Sequence, residues 1–101
     1  MIRGTTPTFQ LIIDDETVNL TEARNVYATF EQRGKKLTKT GEDIEVTAQQ
    51  VDVYFSQAES LQFETGSIDI QLNWTYSNGA RACTDIIRVT VGENLVPEVL
   101  Q

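Results

Sequence analysis

Catalysis needs a nucleophile beside a base, a metal cluster, or carboxylates held in contrasting environments, and only the last is available in this sequence. There is no histidine, and Cys83 is the one cysteine. Ser-His and Cys-His pairs and His-rich metal sites are thereby excluded. Cys83 can form no internal disulfide and has no histidine to activate it, so it reads as a small strand residue. The carboxylates gather at Asp14, Asp15 and Glu16 with Glu22, and again at Glu42, Asp43 and Glu45. Either group could offer oxygens to Ca²⁺, but neither has the Asp-x-Asp-x-Asp-Gly spacing of a calcium loop, and both read as solvated acidic turns. A carboxylate-only enzyme would need two of these groups across one cleft at glycosidase-like separation. The expectation is no enzyme, no catalytic or metal-ligating residue and no cofactor.

Binding chemistry is similarly restricted. Eight basic against fifteen acidic residues give a net charge of −7, unfavourable for holding a phosphate backbone, so no nucleic-acid partner is expected. The basic residues that cluster are Arg33, Lys35, Lys36 and Lys39; with Arg33-Gly34 between two strand-like runs they read as a solvated hairpin turn rather than a nucleic-acid patch. Gly34, Gly41, Gly66 and Gly79 stand singly, so there is no phosphate loop. Asn19-Leu-Thr21 and Asn73-Trp-Thr75 match the glycosylation pattern, which carries no meaning without a secretory signal. Tyr27, Tyr54 and Tyr76 fall on outward positions and would form a carbohydrate platform only if they shared one sheet face; scattered surface tyrosines are the commoner case.

The elements that position these residues follow from alternation. Ile68, Ile70, Leu72, Trp74 and Tyr76 alternate with Asp69, Gln71, Asn73 and Thr75, the pattern of a strand with one buried face. Asn78-Gly79 predicts a two-residue type I′ turn returning residues 80–91 antiparallel. In that return arm Ala80, Ala82, Thr84 and Ile86 share one face and Ile87, Val89 and Val91 the other, so the adjacent isoleucines predict a β-bulge. Earlier, Phe9-Gln-Leu-Ile-Ile13 and Asn25–Gln32 read as strands, and a Thr21 cap with Glu22 starts a short helical turn between them. Lys35–Thr40 is a lysine-guarded edge strand, followed by Ile44–Val46 and Val51–Phe55. Ser56-Gln-Ala-Glu59 matches a capping box opening one or two helical turns through about Leu61. The sum is an all-β, immunoglobulin-like antiparallel sandwich of about seven strands with one short helix near residues 56–61. Trp74 would lie in its core, and the antibody disulfide is missing.

Residues 1–92 form the predicted domain and 93–101 a tail, Glu-Asn-Leu-Val-Pro-Glu-Val-Leu-Gln. Pro97 cannot occupy a helix interior, and Leu95, Val96, Val99 and Leu100 are exposed unless they dock, which makes them the candidate interface. A charged fraction of 23% and a hydrophobic content of 40% are those of a globular protein. No apolar run approaches the roughly 20 residues that cross a bilayer, so no membrane partner is expected. The start reaches the first strand within a few residues and leaves no room for a signal peptide, so the expectation is a protein made in the cytoplasm and carried out, if at all, inside an assembly.

Three segments also carry a resemblance. Met1-Ile-Arg-Gly-Thr-Thr-Pro-Thr-Phe9, Val51-Asp-Val-Tyr-Phe-Ser-Gln-Ala-Glu-Ser-Leu61 and Ile68-Asp-Ile-Gln-Leu-Asn-Trp-Thr-Tyr-Ser-Asn-Gly79 look like small phage and prophage proteins of Firmicutes encoded in virion structural regions. The order of elements is similar to that of the N-terminal domain of phage baseplate upper proteins, over nearly the whole chain. Those proteins continue into long helical and receptor-proximal regions absent from this chain. The resemblance implies a structural, non-enzymatic tail or baseplate module, meeting other virion proteins or further copies of itself, and brings no catalytic residues. The alternative is a carbohydrate-binding sandwich using Tyr27, Tyr54 and Tyr76.

Overall fold

The computed structural model describes residues 1–101. Each apolar alternation becomes a strand with one covered face: β1 (Thr8–Ile12), β2 (Asn25–Gln32), β3 (Lys35–Thr40), β4 (Ile44–Val46), β5 (Gln50–Tyr54), β6 (Gly66–Thr75), β7 (Arg81–Cys83) and β8 (Ile87–Val91), with the one-turn helix α1 (Gln57–Ser60) between β5 and β6. Two antiparallel sheets result. The first has the order β1-β5-β4, and the second the order β3-β2-β6, with β7 and β8 both on the far side of β6. These are the orders B-E-D and C′-C-F-G of an immunoglobulin sandwich with no full strand in the A position. The chain start covers part of that gap: Ile2 bridges Gly92 in parallel, Arg3 N–H donates to Gly92 O at 3.0 Å and Gly92 N–H to Met1 O at 2.6 Å.

β6 pairs with β2 on one side and with β7 and β8 on the other, and its Ile68, Ile70, Leu72 and Trp74 are 0–3% exposed. Trp74 donates its indole N–H to the Tyr76 hydroxyl at 2.9 Å, which satisfies the one polar atom of a buried ring. Across the sandwich four phenylalanines interlock: Phe30 lies 4.7 Å from Phe55 and 5.2 Å from Phe9, and Phe55 lies 6.1 Å from Phe63 between ring centroids. The predicted helix forms with its capping box complete. Ser56 Oγ accepts from Glu59 N–H at 3.1 Å and Glu59 Oε1 from Ser56 N–H at 2.9 Å. The bulge also lies where Ile86-Ile87 placed it: between Asn73↔Cys83 and Ile70↔Ile87, two residues of β6 face the three of Thr84–Ile86. Thr84 fills the irregularity, taking Leu72 N–H on its hydroxyl at 3.1 Å.

Two local expectations are corrected. The Asn78-Gly79 turn is a three-residue loop, Ser77–Gly79, instead of type I′. Gly79 N–H donates to Tyr76 O at 3.0 Å, Tyr76 N–H to Ala80 O at 2.9 Å, and Gly79 alone is left-handed at φ 88°. Asn78 keeps a negative φ because its side chain accepts from Ala80 N–H at 2.9 Å, which stabilises a type I turn followed by a glycine bulge. The consequence is a register one residue away from the expected one, with Ala82 opposite Trp74. The cap of the early turn is Asn19, whose Oδ1 accepts from Thr21 N–H at 3.1 Å and from the Thr21 hydroxyl at 2.6 Å; Thr21 lies inside the 3₁₀ turn Leu20–Glu22.

The turn with two left-handed residues is the one between β2 and β3. Gln32 faces Lys35, and Arg33 and Gly34 have φ of 51° and 84°. Arginine is a poor occupant of that conformation, and its ion pair with Glu64 at 2.6 Å is exposed on both sides. Replacing Arg33 by asparagine is therefore expected to raise the unfolding free energy by about 0.5–1 kcal/mol. Urea denaturation checks this, and a loss of stability would show that the Glu64 contact outweighs the backbone preference.

Candidate functional site

The tail is where exposure and order coincide. Asn94 donates from its side-chain amide to Arg3 O at 2.9 Å and accepts from Val96 N–H at 3.0 Å. At the far end the Gln57 side chain reads the backbone of Leu100 in both directions, accepting its N–H at 2.6 Å and donating to its carbonyl at 2.9 Å. The segment thus lies along the chain start and α1, held by polar contacts. Its aliphatic side chains do not share in that docking: Leu95 is 94% exposed, Leu100 61%, Val99 52% and Val96 45%.

The three tyrosines are not brought together. Tyr54 stands exposed on β5 in the first sheet, where partial desolvation of the phenol and then the neighbouring Glu45 carboxylate push it up from the usual value. Tyr27 lies half-buried on the polar face of the second sheet, beside Asn73 and Thr75. Tyr76 packs against the core and accepts from Trp74. No two of them share a sheet face, so a stacking plane for a sugar ring is not formed by this set. No three of the acidic side chains converge as metal ligands. Asp15 instead accepts from the Thr17 hydroxyl at 2.6 Å and its N–H at 2.9 Å, and these bonds hold its carboxyl below the usual range. No helix is long and apolar enough to cross a membrane.

Lys39 departs from the solvated turn in which it was expected. It points inward from β3 and is 6% exposed, with Nζ 2.5 Å from Glu59 and 5.6 Å from the centroid of the Phe55 ring. The signal was present in alternation: Leu37 and Lys39 fall on one face of β3, and Leu37 packs on the core. A long aliphatic stem lets the lysine follow that face while its ammonium reaches the carboxylate at the start of α1. Burial pushes the Glu59 carboxyl up; the hydrogen bond from Lys39 and those from Ser56 more than offset this, leaving it below its ordinary value. Lys39 and Glu59 therefore form a tie between β3 and the helix that holds the tail.

No family model, curated protein or solved structure matches the chain. The immunoglobulin-like arrangement accordingly rests on strand order and register.

A further open surface is the side of the sandwich where the A strand is incomplete. β1 ends the first sheet and β7 with β8 ends the second. Ile12 is 67% and Ile87 42% exposed along it. The opposite side is closed by the short link from β3 to β4 and guarded by Lys35 and Lys36.

Proposed function

We propose that this chain is a non-enzymatic assembly module that acts through protein–protein contacts, in the setting of a phage or prophage tail or baseplate. The setting comes from the sequence resemblance. The observation that carries the assembly role is the tail: its backbone is fixed by Asn94 and Gln57 while four aliphatic side chains face outward. A disordered tail would have to lose conformational freedom on binding, about 1–2 kcal/mol per residue. One already tied to the domain presents Leu95, Val96, Val99 and Leu100 with much of that loss incurred in folding. Apolar groups in such a position gain by burial against another protein surface.

Light scattering over a concentration range, on the full chain and on a truncation lacking 93–101, tests this. The expected result is a defined oligomer for the full chain and at least tenfold weaker self-association for the truncation, with the sandwich still folded. The strands end at Val91, and no tail side chain belongs to the buried core. A full chain that remains monomeric at every concentration would overturn the tail as a self-contact. An unfolded truncation would make the tail part of the domain.

A further inference from the structure

The incomplete A position is a cleft with a defined chemistry. It has a volume of about 500 Å³ and is lined from both sheets. Its apolar wall consists of Ile13, Val18, Trp74, Ala82 and Ile87, and its charged residues are Asp14, Asp15 and Asp85, with no lysine or arginine among the lining side chains.

The hydrogen bonding of β1 determines which backbone groups border this opening. Ile13 N–H donates to Gln49 O at 2.8 Å and Phe55 N–H to Pro7 O at 3.1 Å, one beyond each end of the paired strand. In an antiparallel pair, residues bonded to the partner alternate with residues whose N–H and C=O point away. Thr8, Gln10 and Ile12 therefore turn their backbone donors and acceptors to the open edge. The β7–β8 edge is a poorer template, because the Thr84–Ile86 bulge interrupts it and Met1–Arg3 cover its end.

We propose that β1 and the cleft beside it accept an extended segment of a partner protein, added as a strand to the Thr8–Ile12 edge, with aliphatic residues at alternate positions and Lys or Arg on its flanks. The inference rests on the assembly reading but uses a surface separate from the tail. Main-chain pairing supplies general affinity, and alternate side chains entering the cleft supply selectivity. Charge decides the occupant. Three aspartates at the cleft favour a basic flank, whereas the tail of a second copy would bring Glu93 and Glu98 and no cation, with Pro97 lacking an N–H for the ladder. The occupant is thus a basic segment of a partner protein and not this chain's own acidic tail.

The test is a titration of the full-length ¹⁵N-labelled chain with a blocked peptide of about ten residues, alternating valine and threonine between pairs of lysines, and with its counterpart in which glutamates replace the lysines. The expected result is shifted amides at Thr8, Gln10, Ile12 and the cleft with the lysine peptide, and at least tenfold weaker binding of the glutamate peptide. Added salt should weaken the lysine complex. Asp14→Asn with Asp85→Asn changes only exposed side chains and should weaken the lysine peptide severalfold. Gln10→Pro removes an edge donor without touching the β5 ladder and should abolish binding while the remaining amide spectrum persists. Equal binding of the two peptides, shifts confined to β3, or no shifts at all would each overturn the proposal. An unaltered tail-dependent oligomer alongside such a result would leave the assembly reading intact, whereas peptide binding by a monomeric chain would uphold the cleft alone.

Discussion

Truncating Phe30 to alanine is expected to lower the unfolding free energy by about 3–5 kcal/mol. The ring is 0% exposed and sits against Phe55 and Phe9 from the opposite sheet. It also lies on β2 between Leu37 of β3 and Ile70 of β6, so its removal opens a void bordered by well-ordered strands that cannot close independently of their ladders. Since a domain has only about 5–15 kcal/mol in total, the variant should be largely unfolded at modest urea, as followed by circular dichroism. Phe30→Leu, which keeps most of the volume, should lose clearly less. A Phe30→Ala cost below about 1 kcal/mol would mean that the aromatic cluster relaxes freely and does not join the sheets rigidly.

The second large effect concerns Lys39 and Glu59. Replacing Glu59 by alanine leaves the Lys39 ammonium buried at 6% exposure without its partner and dismantles the Ser56–Glu59 capping box. The expected loss is about 2–4 kcal/mol, the lower part of the range reflecting the remaining exposure of the carboxylate. Lys39→Met fills the same space over Phe55 without the charge and should cost under about 1 kcal/mol, because the desolvation of the ammonium disappears with the pair. If Lys39→Met proved as damaging as Glu59→Ala, the ion pair itself would be strongly stabilising. The pH dependence follows from the direction of the Glu59 shift. Its carboxyl titrates below the ordinary 4.5 in the folded chain, so its contribution is present above that value and is lost as pH falls through the folded value. Lys39→Met and Glu59→Gln should both flatten this part of the acid limb. The share contributed by Asp15, lowered through Thr17, should remain.

The tie between Lys39, Glu59 and α1 connects these stability effects to the tail. α1 is a single turn and depends on its cap for its geometry. Gln57, the residue that pairs with Leu100, is its first residue. Loss of Glu59 therefore loosens the segment that displays the aliphatic side chains, although neither Lys39 nor Glu59 touches the tail through a hydrogen bond or ion pair.

Alternation by itself determined the strands, because a strand with one covered face requires an apolar residue at every second position. The pattern placed β2, β6 and the inward Trp74, and the pair Ile86-Ile87 located the bulge, since two adjacent apolar residues cannot face the same side of a strand. Ser56 and Glu59 likewise specified the helix start, as capping is local chemistry. The tertiary structure decided what local chemistry leaves open. Asn-Gly is compatible with more than one hairpin loop, and the choice went to the one that puts Ala82 opposite Trp74. A lysine on an edge strand is ordinarily solvated, and Lys39 turned inward because Glu59, twenty residues on, arrived above Phe55. Tyr27, Tyr54 and Tyr76 were separated because sheet membership is set by long-range pairing that no spacing encodes. The cleft between β1 and β7–β8 arises for the same reason: it is formed by strands far apart in the chain, and only their packing brings the aspartates of the two sheets to one opening.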